Sequence, residues 1–202
     1  MTAPRLVLAS ASPRRLDILR QLGLDPEVRP ADVDESMAPA EAPSTHVRRL
    51  AREKAERIGR EAPEALVLAG DTVVVRDGTV LGKPTTPEEA TAMLESLAGR
   101  THEVLSGLAI TGPAGTVDAV TRTTVRFRGF DPELAMRYVG TGEPMDKAGA
   151  YGIQGFGAAL VEEVSGDYYS IVGLPVPALI RLLERCGWRY AFGTLERIDP
   201  VG

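Results

Sequence analysis

The sequence predicts a mixed α/β fold in one domain, and three observations carry that expectation. Short apolar runs bounded by turn residues alternate with segments whose apolar residues recur at helical spacing. Hairpin turns coexist with longer crossover connections, so parallel and antiparallel pairings share one sheet. The chain has 202 residues, 44% hydrophobic and 25% charged, enough for one sizeable core and short for two.

Arg5–Ala9 reads as a short buried strand. Ser12 and Pro13 then supply an N-cap and a first helical residue. Leu16/Leu19 and Ile18/Leu22 repeat at helical spacing until Gly23 stops the helix. Pro26, Pro30, Pro39 and Pro43, with many acids among them, make 29–44 a loop, and Ser44 or Thr45 opens a second helix to about Arg60. Leu66–Val75 is a strand, and Asp77-Gly78 turns it back into Thr79–Leu81. Thr86-Pro-Glu-Glu89 begins like a capping box, and its helix ends near Gly99. Strands follow at Glu103–Thr111 and Val117–Phe127, then a helix from Asp131-Pro132 to about Val139. A glycine-rich stretch, 140–157, precedes a strand at Ala158–Val164 and a last helix at about Pro175–Arg185. The expected domain spans 1–188, with 189–202 a tail of unassigned role.

Composition excludes several chemistries. A single cysteine, Cys186, forbids an internal disulfide, a CxxC redox pair and a multi-cysteine zinc site. His46 and His102 stand far apart without zinc-ligand spacing, so a metal here falls to carboxylates, which favour magnesium or manganese. A net charge of −5 and 5% aromatic residues argue against a broad nucleic-acid footprint. No apolar run approaches the roughly 18 residues of a membrane helix, and no signal-peptide core follows Met1, so the expected location is the cytoplasm with no membrane partner. Of 23 basic residues only Lys54, Lys83 and Lys147 are lysines, which is either chance or the mark of positions where a compact ammonium matters.

Four segments carry candidate chemistry. In Ser10-Ala-Ser12-Pro-Arg14-Arg15 two hydroxyls, a helix N-terminus and two guanidiniums follow a strand, which is either an ordinary N-cap with two solvated arginines or a combination suited to phosphate. Lys54 falls on the apolar stripe of Val47, Leu50, Ala51 and Ile58, where its ammonium either snorkels to solvent or meets an anion. Asp71 interrupts an otherwise apolar strand after Gly70. It is either a capped strand end with a bulge, or a metal ligand or general base at a strand's end. Gly82-Lys83-Pro84 follows the hairpin and is no P-loop, since Pro84 stands where Ser or Thr is required. Glu35 adds a loop carboxylate that, taken alone, reads as solvated, and Asp146-Lys147-Ala-Gly-Ala-Tyr151-Gly-Ile-Gln154-Gly155 is either an irregular surface loop or a segment able to cradle a ligand by close backbone approach. These residues point to an α/β enzyme acting on a phosphorylated small molecule with a divalent cation.

The same segments, with Ala51-Arg-Glu-Lys54-Ala55, Ala69-Gly-Asp71-Thr72-Val73 and Gly166-Asp-Tyr168…Val172-Gly-Leu-Pro175, resemble the Maf-like nucleoside triphosphate pyrophosphatases, also called septum formation proteins, from about Leu6 to Trp188. The resemblance implies an elongated fold like that of inosine triphosphate pyrophosphatases, with a twisted mixed sheet flanked by helices. It implies hydrolysis of a nucleoside triphosphate to monophosphate and pyrophosphate, a divalent cation (Mg²⁺, or Mn²⁺) on Asp71 and Glu35, and a homodimer. Asp71 is the implied proton acceptor, with Glu35, Lys54 and Lys83 completing the catalytic cluster. Ser10, Ser12, Arg14, Arg15, Thr72, Lys147 and Gln154 are implied to bind substrate. Arg14, Thr72 and Gln154 match the dTTP/UTP subgroup, whereas a 7-methyl-GTP subgroup typically carries Glu where Gln154 stands. The Gln amide offers a donor and an acceptor, which suits the imide edge of thymine or uracil.

Three other readings compete with this one. They are a 7-methyl-GTP pyrophosphatase, a non-catalytic nucleotide-binding regulator of septation, and a nucleic-acid-binding module that the charge disfavours.

Overall fold

Strand β3 (Leu66–Arg76) organises the sheet, and a computed structural model describes the chain around it over residues 3–198. β1 (Leu6–Leu8) pairs parallel to β3 on one side and to β2 (Glu27–Val28) on the other, in the register Leu6↔Leu66 and Val7↔Glu27. β4 (Thr79–Leu81) pairs antiparallel to β3 across the expected Asp77-Gly78 turn. Both turn residues take positive φ, 49° and 78°, as a two-residue hairpin requires. β5 (Thr101–Gly112), β6 (Gly115–Phe127) and β7 (Val161–Ser165) complete the order β2-β1-β3-β5-β6-β7. Among the described residues six α-helices accompany the strands: α1 (Pro13–Gln21), α2 (Pro43–Gly59), α3 (Pro87–Leu97), α4 (Pro132–Val139), α5 (Tyr168–Val172) and α6 (Val176–Arg185). The expected mixed α/β class holds.

The residues divide into two compact units. One gathers Met1–Asp71, Ser106–Thr121 and Gly173–Gly202, the other Thr72–Leu105 and Arg122–Val172. In the first, Ala51, Ala55 and Ile58 of α2 pack on Val7 and Ala9, on Val67 and Ala69 of β3, and on Ala109 of β5. Small side chains let the helix sit close. A Cβ at Gly107 would lie 2.2 Å from the Val47 carbonyl, so only glycine fits there. Overpacking such a contact costs about 1–3 kcal/mol.

In the second unit α3 lies against α4. The fully buried Phe127 meets His102 and Tyr151 edge-on, with ring centroids 4.9 and 4.7 Å apart. His102 Nε2 lies 2.9 Å from the Tyr151 hydroxyl, and burial lowers the imidazole pKa from 6.5 to about 4.

Several boundaries differ from the sequence expectation. α2 begins at Pro43 after an Ala42 N-cap, because proline at the first turn is already helical in φ and Ser44 is not needed as a cap. Ser12 takes the N-cap backbone conformation but its side chain makes no capping bond. Ala158–Leu160 belong to a 3-10 segment, Phe156–Leu160, so β7 starts only at Val161. The expected tail folds in part. β8 (Trp188–Tyr190) and β9 (Leu195–Arg197) form a hairpin, and the Tyr190 hydroxyl donates to the Leu22 carbonyl at 2.8 Å. Residues 199–202 of that tail lie outside the described residues. Among the described residues no helix is long and apolar enough to cross a membrane.

Candidate active site

Lys54 is where the first unit's polar chemistry converges. The apolar stripe of α2 carries it inward beside Leu50, Ala51 and Ile58, and its side chain is 8% exposed. Its Nζ donates to Asp71 Oδ1 at 2.9 Å and lies 2.7 Å from Glu35 Oε1. Of the two fates open to this lysine, the anionic partner is the one observed. A buried ammonium and a buried carboxylate each carry a large desolvation cost, which their pairing offsets.

Asp71 does not end its strand. β3 continues through it, with Leu68 the last residue registered to β1 and Val74 the first registered to β4. The carboxylate thus stands mid-strand, 13% exposed, where it meets a cation from α2 instead of solvent. Gly70 precedes it because Arg15 passes overhead: a Cβ there would lie 3.3 Å from Arg15 Nε and 3.0 Å from the Gly107 carbonyl.

The Ser-Ala-Ser-Pro-Arg-Arg segment is internally wired. Arg15 Nε donates to the Gly173 carbonyl at 2.8 Å, and its Nη1 donates to Ser10 Oγ at 2.8 Å. The Ser12 amide donates to the same Oγ at 3.2 Å. With two N–H groups donating to Ser10 Oγ, the hydroxyl proton is left to donate to a third group. Burial lowers the Arg15 pKa, opposed by the nearby Asp71 charge, reinforced by Arg14 and opposed again by Glu35. Arg14, Arg15, Glu35, Lys54 and Asp71 therefore share one electrostatic neighbourhood in which three cations face two carboxylates.

Glu35 comes from the 29–42 loop, and residues not singled out in the sequence hold that loop down. Glu41, 7% exposed, receives Arg49 Nε on Oε1 at 2.8 Å and Arg49 Nη2 on Oε2 at 2.9 Å. This paired fork holds the Glu41 pKa at about 2. The same Nη2 donates to the Ser36 carbonyl at 3.0 Å, and the Ser36 amide donates to Asp34 Oδ1 at 2.9 Å. Both sides of the residue after Glu35 are pinned. Nothing in the sequence joins Glu41 to Arg49 until the loop is folded over α2.

The second unit holds the remaining candidates. Thr72 is half-buried on β3, and Lys83 is exposed on the segment after β4. The Gly149 amide donates to the Gly82 carbonyl at 3.0 Å, so the segments bearing Lys83 and Lys147 are neighbours. Lys147 Nζ donates to the Glu143 carbonyl at 2.7 Å and to Asp146 Oδ1 at 2.6 Å. Gln154 is exposed in the glycine-rich segment. Glu143, passed over in the sequence, accepts from the Tyr138 hydroxyl at 2.8 Å and from the Phe156 and Gly157 amides at 2.8 and 3.1 Å.

The metal expectation can be tested against the donors present. Among the described residues no group of three or more His, Cys, Asp or Glu side chains could hold an ion. The two carboxylates that converge on Lys54 are nonetheless a fitting donor set for Mg²⁺, which commonly takes one or two protein carboxylates and fills its other positions with water and substrate phosphate.

A profile of the Maf-like protein family matches residues 5–186. A protein of Anaeromyxobacter dehalogenans (strain 2CP-C), named dTTP/UTP pyrophosphatase, is 51% identical over 190 residues, covering 92% of this chain and 96% of its own. One of Symbiobacterium thermophilum with the same name is 48% identical over 184 residues, covering 91% and 95%. Among solved structures, the Staphylococcus aureus Ham1 protein superposes with a TM-score of 0.44 at 16% identity, over 61% of this chain and 71% of that one.

Proposed function

Because the chain belongs to the Maf-like protein family, we propose that it hydrolyses dTTP and UTP to the nucleoside monophosphate and pyrophosphate. The observation that carries this reading is near-50% identity, over nine-tenths of the chain, to proteins named for that activity. The Glu35–Lys54–Asp71 contact supports the chemistry. We assign the activity to residues 1–188.

Hydrolysis at the α-phosphorus needs an activated water, neutralisation of the triphosphate, and departure of pyrophosphate in line with attack. Asp71 is the assigned base. Lys54 holds Oδ1, fixing the carboxylate's orientation while its other oxygen takes the proton of the attacking water. Lys54 also keeps two carboxylates together that would otherwise repel, and one N–H of its ammonium remains to donate to a phosphate oxygen. Arg14 and the Ser10 hydroxyl, at the start of α1, are assigned to phosphate with Ser12. Arg15 orients Ser10 and holds the Gly173 carbonyl.

A divalent cation, magnesium or manganese, on Asp71 and Glu35 would supply charge neutralisation to the phosphate oxygens. Thr72, Lys83, Lys147 and Gln154 belong to the second unit; the assignment of Lys83 to the catalytic cluster, and of the other three to the nucleotide, follows the family resemblance. Gln154 is the residue assigned to the base.

Pyrophosphate release from dTTP, UTP, CTP, 7-methyl-GTP and ITP, with Mg²⁺ and with EDTA, tests the reading. Metal-dependent release confined to dTTP and UTP is expected. Release mainly from 7-methyl-GTP overturns the substrate assignment, and no release from any nucleotide overturns the enzyme.

A further inference from the structure

The segment 152–157 that carries Gln154 has no strand ladder and only the start of a 3-10 turn to hold it, yet it is clasped at both ends by one carboxylate and one hydroxyl. At one end the Gly152 amide donates to the Tyr138 hydroxyl at 3.0 Å, and that hydroxyl in turn donates to Glu143 Oε1. At the other end the successive amides of Phe156 and Gly157 donate to Glu143 Oε2 and Oε1. Two adjacent N–H groups aimed at one point form an anion-binding concavity, and here the anion is the chain's own side chain.

The fit is close enough to dictate sequence. A Cβ at Gly155 would lie 2.2 Å from Glu143 Oε2, and one at Gly157 would lie 2.5 Å from the Tyr138 oxygen. Burial pushes the Glu143 pKa up, but the Tyr138 hydroxyl and the two amides outweigh it, and the group is held below the usual carboxylate range. Lys147, bonded to the Glu143 carbonyl, fixes the backbone from which the carboxylate projects.

We propose that Glu143 is a positioning residue for base selection: by clasping residues 152–157 it sets the place and direction of the Gln154 amide. The inference rests on Gln154 reading the base, as assigned above. A Gln at 143 keeps the size but turns an amide N–H₂ toward backbone donors, so the clasp loosens without leaving a cavity.

UTP and CTP differ only at the base edge, so their ratio reads the Gln154 amide. The experiment compares binding of α,β-methylene UTP and α,β-methylene CTP by calorimetry, and kcat/KM for UTP and CTP, in wild type, Glu143→Gln, Gln154→Ala and the double variant. The wild type is expected to favour UTP. Glu143→Gln and Gln154→Ala should each cut that preference about tenfold, the worth of one or two hydrogen bonds, and the double variant should fall no further than Gln154→Ala.

A merely structural role would weaken both nucleotides equally and leave the ratio intact. An unchanged ratio in Glu143→Gln, or additive losses in the double variant, overturns the inference while leaving the base assignment standing. Equal wild-type binding of the two analogues overturns both. If Glu143→Gln does not fold, Tyr138→Phe removes the hydroxyl from the same clasp and should lower the ratio about threefold. An unchanged ratio there overturns the inference as well.

Discussion

Lys54 Nζ lies 2.9 Å from Asp71 Oδ1, with its side chain 8% exposed, so the one lysine of α2 holds its charge against a mid-strand carboxylate instead of reaching solvent. The contact exists because α2 packs on β1, β3 and β5 through alanines and the close approach at Gly107. One carboxylate oxygen is fixed and Glu35 is drawn to the same ammonium at 2.7 Å. Fold and proposed chemistry meet in that nitrogen.

Asp71→Asn should keep the fold and nucleotide binding while lowering turnover by about 10²–10⁴, the usual worth of a general base. Steady-state pyrophosphate release with a parallel binding titration measures both. Near-normal turnover would remove Asp71 from the role of base.

Lys54→Met keeps the apolar stem in the core but leaves two carboxylates without their shared cation. The expected result is loss of turnover together with about 2–4 kcal/mol of stability. That is the range for breaking a buried pair, reduced because the Glu35 side chain is 60% exposed. Urea unfolding measures it. A variant as stable as wild type would mean that the pair contributes nothing net to the fold.

Arg49→Lys replaces a planar fork with a point charge and cannot hold both Glu41 oxygens and the Ser36 carbonyl at once. Hydrogen exchange at the Ser36 amide and at the Ala38 amide, which donates to Glu41 Oε2 at 3.1 Å, should quicken about tenfold or more while the α2 amides stay protected. Turnover should fall in wild type but not further in a Glu35→Gln background, since only a mispositioned Glu35 is expected to matter. Unchanged exchange at these amides would contradict the loop-anchoring role.

His102 gives the protein a pH signature. Folded, it stays neutral down to about pH 4, whereas unfolded it takes up a proton near 6.5. Between those values the unfolded state binds more protons. Stability is therefore complete above about pH 6.5 and falls as pH drops toward 4, by about 3 kcal/mol in all. Between pH 7 and 4.5 the wild type should lose about 2 kcal/mol more than His102→Gln, which cannot titrate but can still bond the Tyr151 hydroxyl. Parallel losses in the two proteins would place the proton uptake elsewhere.

Local signals made much of this legible in the sequence. The Asp77-Gly78 hairpin, the Asp131 cap on α4 and the inward face of Lys54 follow from turn chemistry, capping and helical period, and each is observed. Asp71 stood out because a charge in an apolar strand needs a partner. Which partner it meets was not legible, since Lys54 reaches it from another element, and the exchange of β1 for β4 along β3 leaves no mark in a local pattern. The start of β7 was misplaced because an apolar run fits a 3-10 turn as well as a strand. Glu41 and Glu143 were missed for one reason. Each is an ordinary acid in a loop whose importance comes from the amides and guanidinium that the fold brings to it.

In the proposed reaction water, activated at Asp71, attacks the α-phosphorus of dTTP. Hydrolysis in ¹⁸O-labelled water, with mass analysis of both products, tests it most directly. One labelled oxygen in dTMP and none in pyrophosphate is the predicted result. Label in pyrophosphate, or release of inorganic phosphate and dTDP in place of dTMP, would contradict it.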